Sequence, residues 1–450
     1  MKAPRVCIVG LGYVGLTTGA CLASKGITVY GVDVDEAKLK SIREGRAPFD
    51  EEGLEALLRS SVKKGSFIAG SDYHEALQNS EIAFLTVGTP SLGDGSIDLR
   101  YLRSASEAVG NELGKASGFR HVVVRSTAVP GTTQKEVKEA LERSSGKKCG
   151  KDFGLASNPE FLREGSAIKD TMRPDAIVIG AVDRRTEVAL LSLYRRFYGK
   201  LPPVVSTSAA NAELIKYAVN TFRATQLSFL NTFANLCSGI AGADIDEVAR
   251  GFTAIAKADP RYLKAGLGFG GSCFPKDLRA LVAFLKQSGL GPELLEATLG
   301  VNEMQPKVAV KMARELVGLL SKKKVAVLGL AFKAHTDDVR ESVALNLVER
   351  LLAEGARVTV YDPKATANAK RELQDRVNYA ESARECIRDA ECCIVATGWP
   401  EFAKIRAEEF KKLMRNPAVL DGRRALDQAA LRAGGVECVT LGTGRAAVSP

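Results

Sequence analysis

The stretch GLGFGGSCFPKD, residues 266–277, sets four glycines ahead of one cysteine and follows it with Pro275, Lys276 and Asp277. Pro275 suits the first turn of a helix that continues as KDLRALVAFLKQ. Cys273 therefore falls just ahead of a helix N-terminus and close to Lys276, and both features favour thiolate over thiol. Asp277, four residues on, is placed to face back toward the sulfur. The glycines let backbone approach a bulky ligand and aim amides at it. A core cysteine needs none of these neighbours, so Cys273 reads as a nucleophile.

A second constellation is Gly10, Gly12 and Gly15, the G-x-G-x-x-G pattern, followed by a helical stretch and by Asp33 at the end of the next apolar run. The first glycine permits a tight turn, the second lets a pyrophosphate reach the backbone, and the third lets helix and strand pack closely. Asp33 can accept ribose hydroxyls and repels a 2′-phosphate, which favours NAD over NADP. Two further patterns are weaker. Lys216 and Asn220, four apart in a helical stretch, share a face and can donate to an oxygen that gains charge. SNPEFLREG, residues 157–165, puts Glu160 and Glu164 on one side of an expected helical turn opened by Pro159. Taken alone, these read as a surface lysine with a polar neighbour and as solvated carboxylates.

The elements needed to hold these residues are legible. PRVCIVGLGYVG, TTGACLASKG and ITVYGVDVD form a β-α-β unit, and the runs EIAFLTVGTP and HVVVRSTAVPG alternate with helical segments such as RYLRSASEAVGNEL. That alternation predicts a parallel, doubly wound sheet over roughly residues 1–195. From Ser206 to about residue 240 a long run of helix formers has no proline or glycine before Gly239. It predicts a helix that bridges two domains and offers a face for self-association, with helical structure continuing to about residue 318. KKVAVLGLAFK then resembles PRVCIVGLGYVG, and GARVTVYDP resembles GITVYGVDVD. The expected fold class is α/β: two Rossmann-like doubly wound domains, 1–200 and 311–450, joined by a long central helix and a helical middle domain, 201–310, that carries the cysteine loop. The second copy lacks the glycine fingerprint and is not expected to hold a dinucleotide in the same way. The tail after about residue 440 is expected to fray.

Composition narrows the function. The 450 residues are 45% hydrophobic and 26% charged, with a net charge of +10. No arginine-rich block or interleaving of aromatic and basic residues points to nucleic acid, so the excess fits a solvated surface and phosphate-bearing small substrates. No uninterrupted apolar run has transmembrane length. The N-terminus imitates a signal peptide, but its glycine spacing argues against export. Nine cysteines without framework spacing suggest a reducing compartment, the cytoplasm. Cys392 and Cys393 read as core. With three histidines and no cysteine–histidine cluster, no metal site is expected.

Nine segments in order carry a resemblance: GLGYVGL, LTVGTPS, STAVPGTT, NPEFLREG, AELIKYAVN, GADIDEVARG, GFGGSCFPKD, GLAFKAHTDDVRES and DGRRALD. Together they resemble the UDP-glucose/GDP-mannose dehydrogenase family over nearly the whole chain, and within it the UDP-glucose 6-dehydrogenase branch. The resemblance implies four-electron oxidation of a sugar CH2OH to a carboxylate with two NAD in succession, through a thiohemiacetal and a thioester on Cys273. It implies that Lys216 and Asn220 stabilise oxyanions at carbon six, that Asp277 helps activate water, and that Glu160 and Thr127 lie around that water and the proton relay. For NAD it implies Gly10, Leu11, Gly12, Tyr13, Val14, Gly15, Asp33, Lys38, Val87, Gly88, Thr89, Pro90, Ser91, Ser126, Thr127, Ala128, Glu164, Cys273, Lys276 and Arg340. For the UDP-sugar it implies Glu160, Phe161, Leu162, Arg163, Glu164, Lys216, Asn220, Arg261, Lys264, Gly268, Phe269, Gly270, Phe332, Lys333 and Arg423, with Lys333 and Arg423 as charged contacts of the nucleotide. It also implies a homodimer or a multiple of dimers.

Three positions depart from the family pattern. Lys38 stands where some members have arginine, and Thr232 where relatives often have glutamate. The stretch KADPRYLKAGLGFGG is several residues shorter than usual, and Arg261 can match either of the two basic positions of the longer loop, one of which reaches the sugar of a neighbouring subunit in the family. Within the family, UDP-N-acetylhexosamine and GDP-mannose are the competing substrates. Outside it, two-electron hydroxyacid dehydrogenases also pair a Rossmann domain with lysine and asparagine on a long helix, but have no use for Cys273. A nucleotide-sensing protein without catalysis would not need Cys273, Lys216, Asn220 and Asp277 together.

Overall fold

The structure, a computed structural model, describes residues 4–444. The chain forms two compact units. One is built from the chain up to Val219 together with Arg279–Gln287; the other from Asn220–Leu278 and the chain from Ser288 onward.

The first unit is built on an eight-stranded sheet. Its strands are β1 (Arg5–Val9), β2 (Thr28–Val32), β3 (Phe67–Gly70), β4 (Ile82–Leu85), β5 (His121–Val124), β6 (Gly154–Ser157), β7 (Ile177–Ala181) and β8 (Val204–Thr207), in the order β3-β2-β1-β4-β5-β6-β7-β8. Val6, Cys7, Ile8 and Val9 are all buried, as expected of a parallel strand covered by helices on both faces. The apolar run that imitates a signal peptide is thus β1 and the helix Tyr13–Ser24. Strands β1 to β6 are parallel, but β7 runs antiparallel to β6 and carries β8 with it. The expectation of a wholly parallel sheet over 1–195 is corrected there. Between β6 and β7 lie an irregular loop and only the six-residue helix Ala167–Met172, where a parallel crossover is usually built on an α-helix.

Among the described residues the second unit has a six-stranded sheet: β9 (Lys324–Leu328), β10 (Arg357–Tyr361), β11 (Asn378–Tyr379), β12 (Cys392–Val395), β13 (Ala418–Asp421) and β14 (Glu437–Thr440). Their order, β11-β10-β9-β12-β13-β14, repeats that of the first six strands, and every pairing is parallel. The internal duplication read from KKVAVLGLAFK and GARVTVYDP is present in the topology. Cys392 and Cys393 are fully buried in β12.

The long helix runs from Ala209 to Ser238, 30 residues, or about 45 Å at 1.5 Å per residue. It starts later than Ser206 because Ser206 and Thr207 finish β8. The division between the two units falls inside it, after Val219. Phe222 (64% exposed), Phe229, Phe233 and Leu236 form an open apolar stripe that continues to Ile240. Further helices, Ile245–Ala256, Phe274–Gln287 and Glu293–Val317, carry the helical segment to Gly318. Beyond β14 the chain stays held: Gly444 N–H donates to Ala243 O at 2.8 Å. The rest of the tail expected to fray lies outside the described residues. No helix among the described residues is long and apolar enough to cross a membrane.

Candidate active site

The turn after β1 has the geometry that a dinucleotide needs. Gly10 has φ +94°, a conformation that favours glycine. A side chain at Gly15 would collide with Gly10 O, so the third glycine serves close packing. At Gly12 a Cβ would meet nothing within 4 Å, and the helix Tyr13–Ser24 begins at the next residue. That open cradle at a helix N-terminus fits a pyrophosphate. Asp33 is buried, and its Oδ2 accepts from Leu11 N–H at 2.7 Å and from Lys38 Nζ at 2.9 Å. Burial alone would raise the Asp33 carboxyl; Lys38 and the amides of Asp35 and Leu11 hold it below its ordinary value. Asp33 is therefore an anion where a ribose would lie. Lys38, expected at an exposed contact, is instead paired with Asp33.

The loops after β4 and β5 lie at the C-terminal ends of the strands, where ligands of doubly wound sheets bind. They are tied to each other: Ser126 Oγ donates to Val87 O at 2.6 Å and Thr89 Oγ1 to Thr127 O at 2.7 Å. Glu213, buried on the long helix, steadies the second loop by accepting from Gly131 N–H at 2.6 Å and Thr133 N–H at 2.8 Å. Burial raises its carboxyl above the ordinary value.

The segment 158–165 is not a helical turn, contrary to expectation; the helix begins only at Ala167. Side chains take the amides that a helix would have used. Glu160 Oε2 accepts from Leu162 N–H at 2.5 Å, and Asp170 Oδ2 accepts from Arg163 N–H at 3.0 Å. Asp170, on the helix Ala167–Met172, also grips the Arg163 guanidinium at 2.7 and 3.0 Å, so this expected sugar contact is engaged with the helix that follows its loop. Glu160 is no solvated carboxylate. It is 6% exposed and Lys216 is 3% exposed. Lys216 Nζ donates to Glu160 Oε1 at 2.8 Å and to Glu160 O at 2.6 Å. Burial would raise the Glu160 carboxyl, but the ammonium holds it below its ordinary value. Lys216 also lies 5.4 Å from the centroid of the Phe161 ring.

In the second unit, Cys273 immediately precedes the helix Phe274–Gln287, with Pro275 in the first turn as expected. Asp277 N–H closes that turn on Cys273 O at 2.8 Å. Asp277 is 1% exposed; its Oδ2 accepts from Asn220 Nδ2 at 2.7 Å and its Oδ1 from Lys276 Nζ at 2.6 Å. Cys273 Sγ lies 3.6 Å from Ser272 Oγ. Among the nine cysteines, none in a disulfide, only Cys149 and Cys273 are half-buried. Burial raises the thiols of the other eight, Cys149 among them to about 11.

The glycines before Cys273 make room for neighbouring parts of the protein. Each is filled from within the second unit. A Cβ at Gly268 would stand 2.6 Å from Asn302 Oδ1, and one at Gly271 2.7 Å from the Phe332 ring. One at Gly270 would collide with Glu341 O, and one at Gly266 would press on Arg423 and Gly422. The glycines therefore admit neighbouring segments of chain. Asn231 and Asn302, not singled out beforehand, hold the loop through Gly266 N–H and Phe269 N–H at 2.8 and 2.7 Å. Arg423 is engaged with protein as well, donating to Gly268 O at 2.8 Å and Ala396 O at 2.7 Å. Burial lowers its guanidinium to about 10. Arg340 is paired with Asp338 at 2.6 Å and Arg261 with Asp259 at 2.8 Å, while Lys264 is exposed. Lys333 Nζ lies 5.5 Å from the Phe332 ring centroid. Thr232 bonds back to Ser228 O at 3.0 Å on its own helix.

Residues 4–198 match the NAD-binding domain of the UDP-glucose/GDP-mannose dehydrogenase family, residues 210–304 its central domain and residues 326–428 its UDP-binding domain. The chain is 42% identical over 422 residues to the UDP-glucose 6-dehydrogenase AglM of Haloferax volcanii, covering 93% of this chain and 96% of that one. A solved UDP-glucose dehydrogenase from Pyrobaculum islandicum superposes with a TM-score of 0.89 at 38% identity, over 99% of this chain and 98% of that one. A UDP-D-ManNAc dehydrogenase from Pyrococcus horikoshii gives 0.84 at 28% identity, over 97% and 99%. With its dinucleotide turn intact and all three domains matched in order, the chain belongs to the UDP-glucose/GDP-mannose dehydrogenase family and takes NAD as its cofactor.

Proposed function

We propose that the chain oxidises UDP-glucose to UDP-glucuronate, reducing two NAD per sugar through a covalent adduct on Cys273. The observation that carries the reading is the place of Cys273: a half-buried thiol at the start of a helix, one turn before a buried carboxylate held by Asn220 and Lys276. The identity to named UDP-glucose dehydrogenases supports the choice of sugar.

NAD, when bound, accepts a hydride from carbon six in each of two oxidations; Gly10–Gly15 and Asp33 would hold it. Loss of the first hydride and of the hydroxyl proton leaves an aldehyde. The Cys273 thiolate adds to that carbon, and the new oxyanion takes a proton as the thiohemiacetal forms. Loss of the second hydride and that proton gives a thioester. Water adds, the thiolate leaves, and the carboxylate is released. Lys216 and Asn220, one turn apart on the long helix, would stabilise the oxyanions. Asp277 would take a proton from the attacking water. Glu160, kept ionised by Lys216, and Thr127 would complete the proton relay. The adduct keeps the intermediate in place while reduced cofactor is exchanged.

The nucleotide would be held by the second unit near Phe332 and Lys333, with Arg423 fixing the glycine loop. The apolar stripe from Phe222 to Ile240 supports a homodimer, or a multiple of dimers, built on the long helix. Nine cysteines outside any disulfide support a cytoplasmic location.

The deciding experiment titrates NADH formed per sugar nucleotide consumed, with UDP-glucose, UDP-N-acetylglucosamine and GDP-mannose side by side. The expected ratio is two, with UDP-glucose preferred. Preference for another sugar would move the enzyme to another branch, and undiminished carboxylate production by Cys273→Ala would remove the covalent step.

A further inference from the structure

A buried carboxylate that this chemistry does not use joins two loops that it does. Glu51 is 6% exposed. It lies between Phe49, whose ring packs 4.9 Å from that of Tyr13, and the helix Leu54–Lys63. Its Oε2 accepts from the Tyr13 hydroxyl and from Gly165 N–H at 2.6 Å; its Oε1 accepts from Ala167 N–H at 2.7 Å. Gly165 N–H also lies 3.1 Å from the Tyr13 oxygen. Tyr13 is the first residue of the helix that follows the glycine turn. Gly165 and Ala167 end the loop that carries Glu160 and Glu164 and start the helix Ala167–Met172, whose own N-cap residue Ser166 makes no side-chain cap. Burial, and then Glu51, raise the Tyr13 phenol, so its proton stays in place to be donated.

These three donors are neutral. Burying a carboxylate against neutral donors is costly unless they are well aligned, and an apolar side chain would fill the same space. What the carboxylate provides is a shared acceptor for two ligand-bearing segments more than 100 residues apart in sequence.

We propose that Glu51 is a positioning residue that sets the height of the Glu160–Glu164 loop against the cofactor turn at Gly12–Tyr13. The inference rests on the reaction proposed above. Loosening the link displaces sugar relative to cofactor, and a misplacement of 1 Å can cost about a hundredfold in rate. Glu51→Gln keeps the size but replaces one acceptor oxygen with a donor facing an amide or the Tyr13 hydroxyl. Tyr13→Phe removes the hydroxyl and leaves both amide contacts.

Three readouts test it on the full chain. The first is kcat/KM for UDP-glucose, expected to fall about tenfold or more in Glu51→Gln. The second is the deuterium isotope effect with UDP-glucose labelled at carbon six, expected to rise as hydride transfer becomes slower. The third is NADH binding to sugar-free enzyme by fluorescence titration, expected to weaken in Tyr13→Phe and in Glu51→Gln, with the double variant no weaker than Glu51→Gln alone. A lowered melting temperature with unchanged KM, isotope effect and NADH affinity would make Glu51 merely structural and overturn the proposal. Should Glu51→Gln fail to fold, Glu51→Asp and Tyr13→Phe decide by the same readouts. If the wild type makes no NADH from UDP-glucose, the reaction assignment fails, and the NADH titrations still decide whether Tyr13 and Glu51 act together.

Discussion

Replacing Lys216 with methionine separates what the buried ion pair does for the fold from what it does for the reaction. Lys216 and Glu160 are 3% and 6% exposed and meet at 2.8 Å. Breaking a buried pair by removing one partner costs about 3–5 kcal/mol, because the remaining charge is stranded, whereas replacing both by neutral residues of similar size is often close to neutral. Lys216→Met should therefore destabilise the first unit by about 3–5 kcal/mol. At roughly 2–4 °C per kcal/mol for a unit of this size, its melting transition should fall by about 6–20 °C. Lys216→Met/Glu160→Gln should recover most of the loss, and both variants should be inactive. The pH dependence follows from the Glu160 carboxyl. In the wild type it is held below its ordinary value of 4.5. The pair's contribution is thus present above pH 4.5 and is lost as pH falls through the depressed value. Without Lys216, burial is opposed by the Leu162 amide and, least of all, by the charge of Arg125, and the carboxyl rises. The single variant's deficit relative to wild type should then be larger at pH 8 than at pH 5. Calorimetry and urea unfolding at both pH values provide the test. A deficit under 1 kcal/mol, or a double variant no more stable than the single, would refute the idea that these charges are desolvated together.

Other perturbations test the remaining parts. Gly12→Ala, where a side chain meets nothing within 4 Å, should leave the melting temperature within about 2 °C yet weaken NADH binding about tenfold. Gly270→Ala, which would collide with Glu341 O, should destabilise the second unit by about 2 kcal/mol or more. Asp33→Asn removes the anion beside Lys38, and the ratio of kcat/KM for NAD over NADP should fall about 10–100-fold in steady-state assays. Burial lowers His121 to about 4 from 6.5, with Arg185 and Arg120 reinforcing and Asp183 opposing. The unfolded chain binds the extra proton between those values, so stability should rise with pH across that window, by about 3 kcal/mol. His121→Asn should flatten the slope in urea melts.

What the sequence made legible was local. The glycine turn and Asp33 depend on neighbours within one β-α-β unit, and the second sheet declared itself because KKVAVLGLAFK repeats a pattern of strand and turn. Pro275 marked the helix start behind Cys273. The failures came where distant side chains took over backbone groups. NPEFLREG has the composition of a helix start, but Glu160 and Asp170 accept the Leu162 and Arg163 amides, and the helix is deferred to Ala167. The glycines before Cys273 read as room for a ligand, and their use in admitting Asn302, Phe332 and Glu341 had no sequence signal because those residues lie far along the chain. Glu51 had no signal at all: in FDEEGLE it resembles any acidic residue before a helix, and its acceptor role exists only once Gly165 and Ala167 arrive.

The two sheets show how one ancestral turn can be kept as a site or filled as a core. After β1, Leu11 N–H donates to Asp33, and after β9, Leu330 N–H donates to Asp362, each at 2.7 Å. The acid at the end of the second strand closes the turn in both copies. From there they diverge. Asp362 also receives Ala331 N–H, Trp399 Nε1, Lys364 N–H and Ala365 N–H, so both its oxygens are committed to the fold. Asp33 receives one further amide, from Asp35, and an ammonium, Lys38, from a side chain that is itself part-exposed. Ala331 stands where the first copy has Gly12, and the indole of Trp399 lies against the acid that a ribose would have to reach. The missing glycines lead to the expectation that the second sheet holds no dinucleotide in the same way, and the hydrogen bonds of Asp362 give a second reason for it. A turn whose acid takes five internal donors is fixed by its own domain, whereas Asp33, with two amides and one part-exposed ammonium, keeps fewer internal ties.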